Sequence, residues 1–236
     1  MKILFLHPTT NSKGDKEKER YIKKFKEKET EVKVKSLEKG TEFMDIYSHE
    51  ALAGKEILKE VKIANESGFN AIVIDCFLEP SLHAAREISD IPVIGPFESS
   101  VCFALQLGYT FSIISFLDNA IPQVYRQVRS FGVESRFSSV KIIQTPVLEP
   151  GYKRKDILQE LIEASKNAIE KDKTEVIILG CTLLYGFSQK MTEELGIPVI
   201  DPVIASLKSA ESIVKANLSL SKLYLYKKPY NEIFKS

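Results

Sequence analysis

The sequence predicts an α/β fold of two similar lobes, each a small parallel sheet flanked by helices, related by a pseudo-twofold axis. Short apolar segments alternate with longer helical patterns along the chain, which is typical of parallel sheets covered on both faces. The hexapeptide IPVIGP at 91–96 recurs as IPVIDP at 197–202, so one structural unit occurs twice. We expect a functional site in the cleft between the lobes, because ligands bind beyond the carboxyl ends of parallel strands.

The first lobe is expected to span residues 1–107 and to alternate four strands with four helices. Its first helix is rich in Lys and Glu, which predicts a solvated outer helix capped by Ser12 or Asp15. Its second helix has a broad apolar face. That face comprises Leu52, Ile57, Leu58, Val61, Ile63 and Ala64. The predicted strands are 2–6, 31–37, 71–75 and 91–94, and the predicted helices are 15–28, 48–67, 79–89 and 97–107.

The second lobe is expected to span residues 108–202 and to repeat the same order of elements. Gly132 and Gly196 each follow a helical pattern and are expected to end it. The predicted strands are 110–115, 139–143, 175–179 and 197–200, and the predicted helices are 119–131, 155–172 and 185–195.

A final helix at 203–216 and a tail at 217–236 are expected to return to the first lobe. The tail is too apolar to be a free linker, so it should pack on the body of the protein or on a neighbouring subunit. Its apolar and aromatic residues are Leu218, Leu220, Leu223, Tyr224, Leu225, Tyr226, Tyr230 and Phe234.

The composition excludes several classes of protein. With 236 residues and a net charge of +1, the chain lacks the basic surface that a nucleic-acid-binding protein needs. No apolar run reaches the roughly 18 residues of a membrane span, and the apolar start is too short for a signal peptide. Three cysteines argue against a disulfide framework, and no Cys/His cluster indicates a metal. We therefore expect a cytoplasmic protein with a small-molecule substrate.

Two cysteines stand at equivalent places in the two copies of the unit. Cys76 and Cys181 each follow a predicted strand and precede a predicted helix. The dipole and free N–H groups of a helix start favour a thiolate. One thiolate and one thiol on opposite sides of a planar carbanion can move a proton from one face to the other. This chemistry is racemisation or epimerisation next to a carbonyl, and it needs neither metal nor cofactor.

A cysteine that ends a single strand is more often a small buried hydrophobe than a catalytic group. Recurrence at the functional edge of both copies favours chemistry, because core packing gives no reason for such a match. Cys102 lies in an apolar helical run without a counterpart in the other copy, so we assign it to the core.

Six segments spread over most of the chain form a recognisable set. They are DCFLEPSLHAARE (75–87), IPVIGPFESS (91–100), FSIIS (111–115), PVLEPG (146–151), GCTLLYG (180–186) and GIPVIDPV (196–203). The set resembles the aspartate/glutamate/hydantoin racemase superfamily, most closely its hydantoin racemase branch. The resemblance implies a cofactor-independent racemase, often homo-oligomeric, in which Cys76 and Cys181 match the acid/base pair. Decarboxylase relatives keep only one of these cysteines.

Two loops depart from the pattern of that branch. The usual Asn-Pro-Asn-Thr after the first strand, whose asparagines help to bind substrate, reads His7-Pro8-Thr9-Thr10. The usual Asp-Pro-Gly after the first cysteine reads Glu79-Pro80-Ser81. These departures bear on the substrate more than on the mechanism.

Further candidates surround the two thiols at the predicted carboxyl edges of the sheets. Backbone N–H groups after the cysteines can hold an enolate or a carboxylate. Short polar residues at strand ends are either ligand contacts or helix caps. The candidates for substrate binding are Phe77, Thr182, Leu183, Ser99, Ser100, Ser115, Thr9 and His7. Asp75 and Asp201 are expected either to tune a thiol or to cap a helix.

Three functions fit the residues. The first is a racemase or epimerase of a 5-substituted hydantoin, allantoin or an amino acid. The second is a cis–trans isomerase or decarboxylase of a small dicarboxylate, in which one cysteine suffices. The third is a non-enzymatic small-molecule binding protein, which needs no paired thiols.

Overall fold

Two four-stranded parallel sheets organise the chain, as a computed structural model describes it for residues 1–144 and 154–229. The first sheet has the order β2-β1-β3-β4, and the second has the matching order β6-β5-β7-β8. The strands are β1 (Lys2–His7), β2 (Glu31–Ser36), β3 (Ala71–Ile74), β4 (Val93–Ile94), β5 (Phe111–Ser115), β6 (Phe137–Ile142), β7 (Val176–Leu179) and β8 (Val199–Ile200).

Eight α-helices of the described chain alternate with these strands. They are α1 (Asp15–Ile22), α2 (Tyr47–Glu66), α3 (Leu82–Ile88), α4 (Pro96–Leu107), α5 (Ala120–Phe131), α6 (Arg154–Asp172), α7 (Ser188–Leu195) and α8 (Pro202–Lys215). Short 3₁₀ turns lie at Glu134–Arg136 and Thr182–Leu184. The prediction of an α/β fold with two parallel sheets flanked by helices is confirmed.

Each sheet buries its strands under helices to form its own core. In the first, Leu6, Ile72 and Ile74 of the sheet pack with Ile57 and Val61 of α2. All of these side chains are fully buried. Buried on both faces, such strands need continuous apolar runs, which explains why 72–74 and 176–179 could be recognised from sequence.

The second core repeats this arrangement. Ile114, Ile177 and Leu179 of the sheet pack with Leu161 of α6 and Met191 of α7. Because the strands of each sheet are parallel, their carboxyl ends lie at one edge of that sheet. The loops that carry the candidate residues begin at this edge in each unit.

The chain forms two compact units, residues 1–96 with 206–236, and residues 97–205. The boundaries therefore fall at 96/97 and 205/206, whereas the sequence placed them at 107/108 and 202/203. Helix α4 joins the second unit because its side chains pack there. The Phe97 ring lies 6.0 Å from that of Phe131, and Arg136 Nη2 donates to the carbonyl oxygen of Gly108 at 2.9 Å.

The first helix is shorter than predicted and is not capped as predicted. It ends at Ile22 rather than at residue 28, because the chain continues in turns in which the Phe25 N–H donates to the Ile22 carbonyl. Its N-cap residue is Gly14, and no side chain caps it. The Asp15 carboxylate accepts from Ser36 instead.

Two residues assigned to the buried face of α2 are exposed. Leu52 is 67% exposed and Ile63 is 50% exposed, so their assignment to the core was wrong. The buried stripe follows Ala53, Ile57 and Val61 at four-residue spacing, and both exposed residues fall outside it.

The helices after the cysteines begin later than predicted. Helix α3 begins at Leu82 instead of residue 79, and α7 begins at Ser188 instead of residue 185. In both cases the chain turns tightly after the cysteine before a helix can start. The motif at 146–151, Tyr230 and Phe234 lie outside the described residues.

The tail packs along α3 in the first unit. Leu220 contacts the first core, and Lys222 Nζ donates to the carbonyl oxygen of Arg86 at 2.6 Å. The Tyr226 hydroxyl accepts from Arg86 Nη1 at 3.2 Å, and its ring stacks on His83 with centroids 6.0 Å apart. Other apolar side chains of the tail remain exposed, namely Leu218, Leu223, Tyr224 and Leu225.

Candidate functional site

Cys76 lies two residues beyond β3, at the carboxyl edge of the first sheet, and is half-buried. The Asp75 N–H still donates to the carbonyl oxygen of Leu6 at 2.8 Å, as the last rung of the ladder with β1. The Cys76 N–H then turns back to the carbonyl oxygen of Ile74 at 2.7 Å. The sheet therefore holds the backbone next to this thiol on its amino-terminal side.

The loop after Cys76 has an unusual backbone. Glu79 and Ser81 adopt φ angles of 55° and 57°, in the left-handed region that costs a non-glycine residue roughly 1 kcal/mol or more. The Glu79 N–H donates to the carbonyl oxygen of Cys76 at 3.0 Å and closes the turn. A side chain at position 95 would collide with the Glu79 carboxylate and with Leu82, so Gly95 allows this loop to pack.

Cys181 occupies the corresponding place in the second unit, beyond β7, and is also half-buried. It is the N-cap residue of the 3₁₀ turn at Thr182–Leu184. The Leu183 N–H donates to Cys181 Sγ at 3.4 Å, and the Leu184 N–H donates to the Cys181 carbonyl oxygen at 3.0 Å. An N–H group directed at sulfur favours the thiolate over the thiol.

The residues that precede the two thiols, Asp75 and Gly180, make the same backbone hydrogen bond to the first strand of their own sheet. The Gly180 N–H donates to the carbonyl oxygen of Ile114 at 2.7 Å, as the Asp75 N–H does to Leu6. A Cβ atom at Gly180 would lie 2.6 Å from Ile113 Cγ2, so the second unit has no room for a side chain there. The residue before the thiol is therefore an aspartate in one unit and necessarily a glycine in the other.

Asp75 forms a buried ion pair that could not be predicted from the neighbouring residues. Lys18 Nζ lies 2.6 Å from Asp75 Oδ2, and the two residues are only 4% and 1% exposed. Lys18 belongs to the helix that we expected to be solvated, so that expectation was wrong for this residue. The available signal was its spacing from Ile22, four residues on, which is also buried.

His7, Asp15 and Ser36 form a cluster at the carboxyl ends of β1 and β2. The Ser36 hydroxyl donates to Asp15 Oδ1 at 2.9 Å, and His7 Nδ1 lies 3.9 Å from the same oxygen. Burial alone would raise the pKa of the Asp15 carboxyl, but the nearby His7 and the hydrogen bonds from Ser36 outweigh it and hold that pKa below its ordinary value. The cluster fixes His7 at the same edge of the sheet as Cys76.

The hydroxyls near strand ends have varied surroundings. Thr9 is buried, and its hydroxyl accepts from the Asn11 N–H at 3.4 Å. Ser115 ends β5, and its carbonyl oxygen accepts from the Ile143 N–H at 2.8 Å. Ser99 and Ser100 lie buried in the second turn of α4, beyond the position of a helix cap.

The remaining backbone candidates are buried beside their cysteines. Phe77 and Thr182 follow Cys76 and Cys181 directly, and both are 2% exposed. Three candidates belong to the same unit as Cys76, namely Phe77, His7 and Thr9. The other five belong to the same unit as Cys181, namely Thr182, Leu183, Ser99, Ser100 and Ser115.

Asp201 caps a helix, which was one of its two expected roles. Its Oδ1 accepts from the Val203 N–H at 2.9 Å and from the Ile204 N–H at 3.4 Å, at the start of α8. Its Oδ2 accepts from the Gly186 N–H at 2.8 Å, which ties the loop after Cys181 to that helix start. Pro202 supplies the first helical residue, where a missing N–H costs nothing.

Cys102 is exposed, so its assignment to the core was wrong. Helix α4 buries Phe97, Val101 and Ala104, and a residue directly after Val101 points about 100° away from that stripe. This thiol is therefore a useful surface control for the other two.

The described residues include neither a cluster of metal-binding side chains nor a membrane-spanning helix. Across residues 1–144 and 154–229, no group of three or more His, Cys, Asp or Glu side chains could hold a metal ion. Within the same ranges, no helix combines the length and apolar character needed to cross a membrane.

Comparison with known proteins identifies the family. A family model described as Asp/Glu/Hydantoin racemase matches residues 3–210. A hydantoin racemase of Pseudomonas sp. (strain NS671) is 34% identical over 229 residues, covering 97% of this chain and 92% of that protein. One from Paenarthrobacter aurescens is 37% identical over 181 residues, covering 76% and 77%. The structure of an allantoin racemase from Klebsiella pneumoniae has a TM-score of 0.93 at 26% identity, covering 100% of this chain and 96% of that one. With two strand-end thiols already in place, these matches lead to one conclusion: the chain belongs to the Asp/Glu/hydantoin racemase family and is an isomerase of the racemase class.

Proposed function

We propose that this protein racemises a 5-substituted hydantoin, with Cys76 and Cys181 as the acid/base pair. The proposal rests on one observation: a half-buried cysteine lies two residues beyond the third strand of each sheet, β3 in the first and β7 in the second. A core role for these cysteines predicts complete burial, whereas both remain accessible to a ligand. Relatives named hydantoin racemase support the substrate class.

The chemistry balances with the two thiols alone. One cysteine, as thiolate, removes the proton from C5 of the hydantoin ring, and the electron pair of the C–H bond moves into the adjacent carbonyl as an enolate. The other cysteine, as thiol, gives its proton to the opposite face of C5. The first cysteine ends as the thiol and the second as the thiolate, so the reverse reaction uses the same groups in exchanged roles.

Backbone N–H groups of the loops can stabilise the charge that develops on the substrate. The Leu183 N–H already donates to Cys181 Sγ and so holds the thiolate in place. Helix starts and tight turns offer such donors without a metal ion. This arrangement supports a cofactor-independent reaction.

Allantoin is itself a 5-substituted hydantoin, so the hydantoin ring is the chemistry shared by the named relatives and the structural neighbour. We place allantoin and 5-alkyl or 5-aryl hydantoins in one substrate class and amino acids second. The loop at His7-Pro8-Thr9-Thr10 is the part of the first unit in which side-chain specificity is expected to differ from relatives with asparagines there.

The test is exchange of the proton next to the carbonyl in D₂O, followed by NMR: the C5 proton of L- and D-5-substituted hydantoins and allantoin, and the Cα proton of aspartate and glutamate. Wild type is compared with Cys76→Ser, Cys181→Ser and Cys102→Ser. We expect inversion to fall by at least about 10³-fold in the first two variants, since serine is a far weaker base at neutral pH. Cys102→Ser is the matched control, because it changes an exposed thiol, and it should keep wild-type activity.

The outcomes separate the functions. Full activity in both Cys76→Ser and Cys181→Ser would overturn the two-thiol mechanism. Loss in only one variant, without exchange of the substrate's α-proton, would favour a decarboxylase or cis–trans isomerase of a small dicarboxylate. Exchange with aspartate or glutamate alone would move the substrate class to amino acids.

We also propose a cytoplasmic homo-oligomer. All three cysteines are thiols and not half-cystines, which fits a reducing compartment. Leu223, Tyr224 and Leu225 of the tail are exposed together, and such apolar groups are enriched where subunits meet. Sedimentation velocity of the wild type, compared with a Leu223→Ser/Tyr224→Ser/Leu225→Ser variant, tests the assembly, and a monomeric wild type would overturn it.

A further inference from the structure

The residues that directly precede the two proposed catalytic thiols differ in charge, since Asp75 precedes Cys76 and Gly180 precedes Cys181. Cys76 follows a buried aspartate that is paired with a buried lysine from α1. We propose that Lys18 is a positioning residue that sets the reactivity of Cys76 by neutralising Asp75, and that this ion pair leaves Cys181 unaffected. The inference deepens the proposed function, since it assigns a task to two residues beside one of the thiols used there.

The duplication of the fold provides an internal comparison. Lys18 is the fourth residue of α1, and Gln123 is the fourth residue of α5, the helix that follows the first strand of the second sheet. Both side chains are buried, at 4% and 5% exposure. Asp75 corresponds in the same way to Gly180, since both donate their N–H to the first strand of the sheet. A charged pair in one unit is therefore replaced by two uncharged residues in the other.

The position of the ion pair shows how it can act on the thiol. Helix α1 packs against β2, while Asp75 follows β3, and β1 lies between these strands. Lys18 therefore reaches past β1 to place its ammonium group 2.6 Å from the carboxylate beside Cys76. A solvated helix of Lys and Glu does not need this contact, and burying a lysine is costly unless it is paired.

The charge of Asp75 acts on Cys76 over a short distance. Neighbouring Cα atoms are about 3.8 Å apart, so the two side chains lie within roughly 10 Å of each other. At an effective dielectric constant of about 20, one unit charge at roughly 10 Å changes a thiol pKa by about one unit, or about tenfold in thiolate population. An unneutralised Asp75 disfavours the Cys76 thiolate, and Lys18 removes that penalty.

Other titratable groups at this edge of the first sheet have their own contacts. His7 and Asp15 lie 3.9 Å from each other, with Asp15 on the same helix as Lys18. Glu79, in the loop after Cys76, places its carboxylate against Gly95. These groups remain in place in the variants below, so their effect on Cys76 is common to all of them.

The test is the rate of alkylation by iodoacetamide between pH 5 and pH 10, measured for each cysteine separately by peptide mass spectrometry. The proteins are wild type, Lys18→Met, Asp75→Asn, Lys18→Met/Asp75→Asn and Lys18→Arg. We expect Lys18→Met to raise the pKa of Cys76 by about one unit and Asp75→Asn to lower it. The double variant should lie within about threefold of wild type, and Lys18→Arg should preserve the wild-type profile.

Cys181 and Cys102 in the same samples are the internal controls, and their profiles should not move. Lys18→Met removes the ammonium group from a buried carboxylate. If this variant is only partly folded, all three cysteines acquire the reactivity of thiols in an unfolded chain. In that case the comparison of Asp75→Asn with the double variant carries the test, because only the first retains a net charge. A lower pKa of Cys76 in Asp75→Asn than in the double variant is the expected result.

Opposite shifts at Cys76, cancelled in the double variant, support the inference. It is overturned if Lys18→Met and Asp75→Asn shift Cys76 in the same direction, if neither shifts it, or if Cys181 shifts as much. Alkylation is measured without substrate, so it reports on Cys76 whether or not the protein racemises hydantoins. Absence of hydantoin racemisation would overturn the proposed function without changing the outcome of the alkylation test.

Discussion

Asp15 shows how a single half-buried carboxylate is stabilised at the edge of the first sheet. Two donors from Ser36, its N–H and its hydroxyl, reach the carboxylate at 3.0 Å and 2.9 Å. Hydrogen bonds to a charged group are stronger than those between neutral groups, and they favour the ionised form. These contacts lower the pKa of Asp15 even though burial opposes them.

This arrangement predicts how stability depends on pH. A carboxyl with a lowered folded-state pKa stabilises the protein above its unfolded value of 3.8, and that stabilisation is lost as pH falls through the folded pKa. We expect Asp15→Asn to be less stable than wild type by about 1–2 kcal/mol at pH 7. Its free energy of unfolding should also fall less between pH 5 and pH 2.5, as measured by urea denaturation.

Asp118→Asn is the matched control, because the Asp118 side chain is exposed. Its stability curve against pH should follow that of wild type. An Asp15→Asn curve parallel to wild type over the whole acid range would contradict the role assigned to these hydrogen bonds. The pKa of Asp172 is also lowered, by hydrogen bonds from Lys141 and Ser139. Asp172 is present in every variant, so each of them still loses some stability as the pH falls.

At the scale of single elements, the start of α8 is organised by Asp201. One carboxylate oxygen serves the free N–H groups of the helix, and the other binds the loop after Cys181 through Gly186. The equivalent residue in the first unit is Gly95, where the Glu79 carboxylate takes up the space of a side chain. The repeated hexapeptide therefore ends differently in its two copies for reasons of packing.

Replacing Asp201 should destabilise the helix start and loosen the loop together. We expect Asp201→Ala to lose about 2 kcal/mol of stability, because it removes the cap and leaves buried N–H groups without their acceptor. Hydrogen exchange should become faster at Gly186 as well as at Val203. Asp201→Asn, which keeps an acceptor oxygen, should lose less than half as much. Equal losses in the two variants would contradict the prediction, because they would mean that one remaining acceptor oxygen does not preserve the cap.

Over the whole molecule, the chain leaves the first unit at residue 96 and returns to it at residue 206. The returning segment ends in a tail that contacts α3 through Leu220, Lys222 and Tyr226. Stability in the first unit therefore depends on residues that follow the second unit in the sequence.

Removing residues 218–236 should weaken the first unit and leave the second unchanged. We expect amide exchange in Leu82–Ile88 to become at least about tenfold faster, because Lys222 and Tyr226 no longer bind the end of α3. Peptides from 97–205 should keep their protection. Tyr226→Phe, which removes only the hydroxyl, should give a much smaller effect. A uniform change in both units would mean that the tail stabilises the protein in some other way.

Residue patterns alone predicted the order of strands and helices and the pair of thiols at strand ends. A buried strand must be a continuous apolar run, and a duplicated unit repeats its sequence, so both features can be read from local residues. The positions of Cys76 and Cys181 followed directly, because a cysteine after such a run must lie at the carboxyl edge of the sheet.

Tertiary structure decided which polar residues are buried and with what partner. Lys18 is one of many lysines in its segment, and its ion pair with Asp75, 57 residues away, distinguishes it as a buried charge. Cys102 and Leu52 were misassigned because hydrophobic character does not say which side of a helix the rest of the chain will cover. Local sequence determines periodicity, whereas burial depends on distant parts of the chain that pack against each face.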